Sequence, residues 1–201
     1  MFSAVSRFLA DLLAVALAGA VIKLMDDYLD YEADTAQGRS SLVHVLGRGA
    51  VLYALVFALI ASGINARLAS PLVLAAYVVG MLKDPREMLP LGFSAWMESA
   101  MVAVVTWLLF GWRATCVSVL LMTAVQLGDD LQDLAFDRAT GGANLARRLG
   151  KGEALLLCFI ALLAALIVDR RTTLLVCMCA PVIEWTSRLS GDSEGGETHV
   201  D

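Results

Sequence analysis

Four aspartates recur at the same spacing in two places, Asp26, Asp27, Asp30 and Asp34, then Asp129, Asp130, Asp133 and Asp137, each set reading DDxxDxxxD. At about 100° per residue a helix puts Asp27, Asp30 and Asp34 in a narrow arc of one face, and Asp130, Asp133 and Asp137 likewise. Carboxylates held that close repel one another unless a cation neutralises them. Ligation by carboxylate oxygen alone suits a hard cation, and Mg²⁺ in particular binds through a few carboxylates plus the phosphate oxygens of a substrate. Solvated acidic helix caps are the competing account. Acid at the C-terminal end of a helix opposes the macrodipole, and solvation does not require the pattern to recur in register, so the spacing favours a metal.

The recurrence extends beyond the aspartates. Asp26 to Gly49 and Asp129 to Gly152 align without a gap at an offset of 103 residues, with ten of 24 positions identical, including Gly38/Gly141, Leu42/Leu145, Leu46/Leu149 and Gly47/Gly150. An internal duplication explains this, and duplicated membrane proteins commonly share a site between their halves. Between the two copies, the segment from Tyr77 to Trp96 carries Lys83 and Arg86. Cations beside metal-loaded carboxylates are what a diphosphate requires. By spacing alone these two are equally well read as ordinary loop positives.

The elements that must hold these residues are set by composition. The chain has 201 residues, 59% hydrophobic and 17% charged, with a mean hydropathy of +0.72. A soluble domain carries about a quarter charged residues, so this is a membrane protein. Its net charge of −5 offers no basic field for nucleic acid. Apolar stretches near 4–25, 42–64, 68–83, 92–110, 114–128, 153–168 and 172–188 predict seven spans. They are rich in Leu, Ala and Val without period-2 alternation, which favours helices over a membrane barrel. The fold class expected is therefore all-α: one polytopic transmembrane helical bundle over residues 1–189, built from an internal duplication, with 190–201 a disordered tail.

With seven spans, one side of the membrane holds ten positive residues and the other five. The positive-inside rule then puts the acidic motifs in the cytoplasm and the N-terminus outside. Cys116, Cys158, Cys177 and Cys179 all fall in apolar stretches and read as packing residues. Trp96, Met97, Met101 and Trp185 sit at helical spacing and read first as packing, with pocket lining as the alternative.

Taken together, the paired motifs resemble those of the UbiA superfamily of intramembrane prenyltransferases. Asp26-Asp27-Tyr28-Leu29-Asp30-Tyr31-Glu32-Ala33-Asp34 is similar to that family's first motif, NDxxDxxxD, with Asp26 in the place of Asn. Asp130 to Asp137, followed by Gly141, Leu145 and Leu149-Gly150, resembles the second, with Asn144 where Thr is common. Tyr77, Lys83 and Leu91-Gly92 resemble the segment between them, with Asp84 in place of a second basic residue and Arg86 a candidate substitute. The likeness covers about residues 20 to 155. It departs in span number, since the family usually has about nine.

The resemblance implies a Mg²⁺-dependent prenyltransferase. Asp26, Asp27, Asp30, Asp34, Asp129, Asp130, Asp133 and Asp137 would hold Mg²⁺, with Asp30 and Asp133 central to catalysis. Lys83, catalytic as well, would with Arg39, Arg86 and Arg148 bind the diphosphate of a prenyl donor and neutralise charge as it leaves. The partners implied are a prenyl diphosphate, a lipid or an aromatic or quinone-precursor acceptor, and the membrane lipids. A terpene cyclase of the same superfamily, needing no acceptor, is the nearest alternative. A divalent-cation transporter or sensor is the alternative of another class, because intramembrane carboxylates often mark ion pathways. The placing of both clusters at one membrane face, not the midplane, counts against conduction.

Overall fold

A computed structural model describes residues 2–31, 35, 41–47, 49–82, 84–90, 92–134 and 144–192, without side-chain surroundings for 2–3 and 187–192. Asp34, Arg39, Lys83, Asp137 and the tail from 193 onward lie outside the described residues. The described chain is all-α, its sole extended pairing a single bridge between Met88 and Ser94. In order it forms α1 (Phe2–Leu29), α2 (Leu42–Leu46), α3 (Gly49–Met81), α4 (Ala95–Phe110), α5 (Trp112–Gln132), α6 (Leu145–Leu149), α7 (Lys151–Val168) and α8 (Arg170–Asp192). In hydrocarbon each backbone N–H and C=O must be satisfied inside its own segment, which leaves helices as the economical solution for runs this apolar. α1, α3, α5 and α7 are long and apolar enough to cross a bilayer, and α4 is a shorter apolar helix.

Helices cover the seven predicted apolar stretches, with two changes. α3 covers 33 residues but is broken at Asn65, whose extended backbone (φ −153°, ψ 86°) separates helical stretches 49–64 and 66–81. They correspond to the second and third predicted stretches, and the helix does not run straight between them, because the Ser62 and Ser70 hydroxyls, eight residues apart, lie 3.1 Å from each other. The predicted 42–64 span is also cut short, because residues 42–46 form the separate helix α2, closed by Gly47 in a positive-φ conformation.

The duplication is written into the backbone. At the offset of 103, the ends of α1 and α5 (Leu29, Gln132) correspond, as do α2 and α6, their N-caps Ser41 and Asn144, and their C-caps Gly47 and Gly150. Gly47 N–H reaches the carbonyl of Val43 at 2.7 Å, and Gly150 N–H that of Ala146 at 3.0 Å. The buried face of α1, formed by Ala14, Val15, Ala18, Val21, Leu24 and Asp27, falls on Val117, Ser118, Leu121, Ala124, Leu127 and Asp130 of α5, all buried as well. Beyond Gly152 the match continues at an offset of 104. Ala50 then pairs with Ala154, Ala61 with Ala165, Leu72 with Val176, and the break at Asn65 with Asp169, which separates α7 from α8 at φ −149° and ψ 97°.

Gly47 (φ 52°) and Gly150 (φ 107°) occupy left-handed backbone regions that a Cβ disfavours. A Cβ at Gly150 would also run into the Glu153 carboxylate. Gly150→Ala is expected to lower stability by about 1–3 kcal/mol, whereas Gly152→Ala, at a helical site with open space around it, leaves it unchanged or raised. Thermal unfolding of both variants in lipid nanodiscs checks this, and equal melting temperatures would contradict it.

The chain divides into two compact units, residues 1–70 with 175–201, and residues 71–174. In the first, α1 packs with the C-terminal part of α8, and Gly19 leaves room for the Ile183 side chain. The Cys179 thiol lies 3.8 Å from the Leu12 carbonyl. Asp11, buried on α1, accepts a 2.7 Å hydrogen bond from Asn65 Nδ2 and so ties down the break in α3. In the second unit α5 packs mainly along α7, around Leu127, Leu134, Ala146 and Ala154. Cys158 approaches the Ala124 carbonyl at 3.4 Å across that seam. Cys116 and Cys177 are exposed, as are Trp96, Met97, Met101 and Trp185.

Candidate functional site

The first acidic motif forms the last turn of α1 and the bend after it. Asp26 is half-buried, Asp27 buried at 6% exposure, and Asp30 exposed, its N–H bonded to the Asp26 carbonyl at 3.0 Å. Lys23, one turn back, places its Nζ 3.2 Å from Asp27 Oδ1 and 3.7 Å from Glu184 Oε2 of α8. Asp27 is thus committed to an ion pair inside the helix packing. Beyond the bend, Thr35 donates to the Tyr31 carbonyl at 2.7 Å and stands 3.0 Å from His44 Nε2. Because the Thr35 hydroxyl proton is already used, its oxygen receives the Nε2–H of His44. His44 Nδ1 then accepts from the Ser41 N–H at 3.1 Å, and the imidazole packs against Tyr31 with centroids 4.7 Å apart. This closes a capping box that starts α2.

The second motif repeats the plan with different partners. Asp130 is buried at 7% exposure; its Oδ2 accepts the Leu145 N–H at 2.8 Å, and Gln126 Nε2 lies 3.4 Å from Oδ1. Asn144 donates to the Asp130 carbonyl at 2.7 Å and accepts the Arg147 N–H at 2.8 Å, capping α6. One carboxylate and one amide therefore fasten α6 to the end of α5. That helix carries Arg147 and Arg148, both exposed. Asp129 and Asp133 are half-buried, with Asp133 N–H bonded to the Asp129 carbonyl at 2.9 Å. Arg86 is exposed in the segment before α4, where its N–H approaches Asp84 Oδ1 at 3.4 Å.

Two expectations change at this level. α1 stops at Leu29 and α5 at Gln132, with Asp30 in a bend and Asp133 a C-cap at φ −86° and ψ 0°. The continuous helical face expected through Asp30 and Asp133 is interrupted there. Carboxylates crowded at the negative end of a helix dipole oppose further winding. The four aspartates of each set are also not equivalent. The second of each is buried and holds structure, whereas the first and third sit one turn apart on the more accessible side.

Among the described residues, no three His, Cys, Asp or Glu side chains come together as a closed metal cage. The donor chemistry still suits Mg²⁺, which usually takes one or two protein carboxylates and completes its shell with water and substrate phosphate. Asp26 with Asp30, and Asp129 with Asp133, are such pairs. Sequence reasoning overlooked Gln126, Asn144 and Arg147 as working residues and treated Lys23 only as a loop positive. The offset of 103 was the usable signal, since it aligns Lys23 with Gln126 and Ser41 with Asn144.

No family profile, curated protein or solved structure matches this chain. The reading of its chemistry therefore stands on its own residues.

Proposed function

We propose that this chain is a Mg²⁺-dependent integral membrane prenyltransferase of the UbiA type, ionising an allylic prenyl diphosphate and passing the chain to a lipid or aromatic acceptor. The observation that supports it most is the register of the two acidic motifs, each placed at the end of an apolar helix and followed by a capped five-residue helix and a positive-φ glycine. An acidic cap fixed in duplicate on such a scaffold is better explained by ligand binding at each cap than by solvation.

In this reading Asp26 and Asp30, joined by Asp34, would hold metal at the end of α1, and Asp129 and Asp133, joined by Asp137, would do so at the end of α5. Mg²⁺ held there would supply positive charge to offset that of a leaving diphosphate. Asp27 and Asp130 position the turns that carry these ligands. α6, fastened by Asp130 and Asn144, presents Arg147 and Arg148 to diphosphate oxygens, with Lys83, Arg39 and Arg86 as further cations. The surrounding apolar helices take the prenyl chain and keep water from the allylic cation. The distribution of positive residues puts this chemistry at the cytoplasmic face of the cell membrane with the N-terminus outside.

The test is diphosphate release by purified protein in lipid nanodiscs given geranyl, farnesyl or geranylgeranyl diphosphate, with and without Mg²⁺. Products are identified by mass spectrometry with and without a pool of lipids and quinone precursors. Mg²⁺-dependent release with adducts only from the pool is the expected result. Hydrocarbon made without the pool would move the assignment to a cyclase. No turnover of any donor by folded protein would overturn it in favour of cation binding.

A further inference from the structure

Glu98 is a buried carboxylate that the acidic motifs do not use. It lies in the first turn of α4 at 8% exposure. Tyr77, near the end of α3, donates its hydroxyl to Glu98 Oε2 at 2.6 Å. The other oxygen, Oε1, is buried with no hydrogen-bond partner, the one such side-chain atom among the described residues. Ser99 Oγ bonds to the Val78 carbonyl at 3.2 Å, and the Ala95 and Trp96 N–H groups reach the carbonyls of Glu87 and Pro85 at 2.9 and 3.2 Å. The local backbone donors are thereby engaged elsewhere.

An acid in a helix's first turn is favoured by the dipole, and that explains a glutamate facing solvent. It does not explain one driven into the packing with half its acceptor capacity unmet, which is destabilising. A buried polar atom without a partner is where a ligand's donor fits. Its place agrees: α4 and α5 are in contact and joined by Gly111 alone. In the seven-span reading they are successive crossings, which returns Glu98 to the membrane face where α5 ends in Asp129, Asp130 and Asp133.

We propose that Glu98 Oε1 is the docking point for a hydroxyl of the prenyl acceptor, with Tyr77 fixing the carboxylate's orientation. The inference rests on the prenyltransferase reading for its role in turnover. In the transfer, an oxygen lone pair of the acceptor forms the bond to C1 of the prenyl chain. The C1–O bond to diphosphate breaks with its electron pair leaving on diphosphate, and the hydroxyl proton passes to Glu98 Oε1.

The test is binding of 4-ethylphenol against its methyl ether, 4-ethylanisole, to the full chain in nanodiscs, corrected for partition into empty discs. The native protein is expected to prefer the phenol by on the order of tenfold or more, the worth of a hydrogen bond to a charged acceptor. Glu98→Met should bring that ratio to about one. The double variant Tyr77→Phe/Glu98→Met, which leaves neither partner stranded, should do the same and melt at a temperature no lower than native. In turnover, Glu98→Gln should cut adduct formation on the order of a hundredfold while Mg²⁺-dependent diphosphate release without acceptor persists. A native ratio near one, or a preference that survives both Met variants, would overturn the docking site even if diphosphate is released. Phenol preference lost in both variants, in a protein that turns over no allylic diphosphate, would uphold the docking site and fail only the transferase reading.

Discussion

Asp133→Ala is expected to reduce Mg²⁺-dependent diphosphate release on the order of 10²–10³-fold or more, with little change in melting temperature, and Asp30→Ala to do the same. Both residues lie just past the last turn of a long helix and are more accessible than the second aspartate of their own motif, Asp27 or Asp130. Asp130→Ala should behave differently. Its carboxylate accepts the Leu145 N–H at 2.8 Å, and removing it leaves a partly buried amide unsatisfied at a cost of about 1–3 kcal/mol. α6 then loses its anchor and Arg147 and Arg148 their placement, so activity and stability fall together. Melting temperatures and release rates measured side by side decide it. Full activity in both Asp30→Ala and Asp133→Ala would remove the metal assignment, and an equal loss of stability in Asp133→Ala and Asp130→Ala would remove the division of roles.

The second large effect is expected at Lys23. Its Nζ lies between Asp27 and Glu184, inside a helix long and apolar enough to cross the membrane. Lys23→Met takes the cation from the buried Asp27 and the half-buried Glu184, and because Lys23 and Glu184 are partly exposed the loss is expected to be about 1–3 kcal/mol, below that of a fully buried pair. The triple change Lys23→Met/Asp27→Asn/Glu184→Gln, which removes all three charges, should recover most of that loss. A Lys23→Met protein as stable as native in denaturant or heat would show that the ion pair contributes little.

The spans were legible because their composition leaves few alternatives in a bilayer, and the break between the second and third was visible as polar Asn65 and Arg67 in an otherwise apolar run. α2 was not legible. Leu-Val-His-Val-Leu reads as the start of the next span, and what detaches it is the backbone at Gly47. The identities of the motif aspartates came directly from spacing, but their separation into holding and presenting residues did not. That separation depends on contacts such as Asp130 with an amide 15 residues away, which no helical wheel contains. Glu98 was hidden for a similar reason, because a lone acid in the first turn of a helix looks like a dipole partner until the environment of its second oxygen is known.

The shift in offset from 103 to 104 falls at Gly150 and Glu153, at the very start of α7. One extra residue inside a helix would turn everything after it by about 100° and carry the buried alanines round to the lipid. Here Ala154 and Ala165 remain buried like Ala50 and Ala61, because the added residue falls in the first turn of α7, next to the Gly150 joint, with the rest of the helix still ahead of it. The two copies have therefore been free to drift in length at their joints while staying locked in phase along their helices. A single residue inserted beside Gly47 should be tolerated where the same insertion after Ala54 scrambles the helix face.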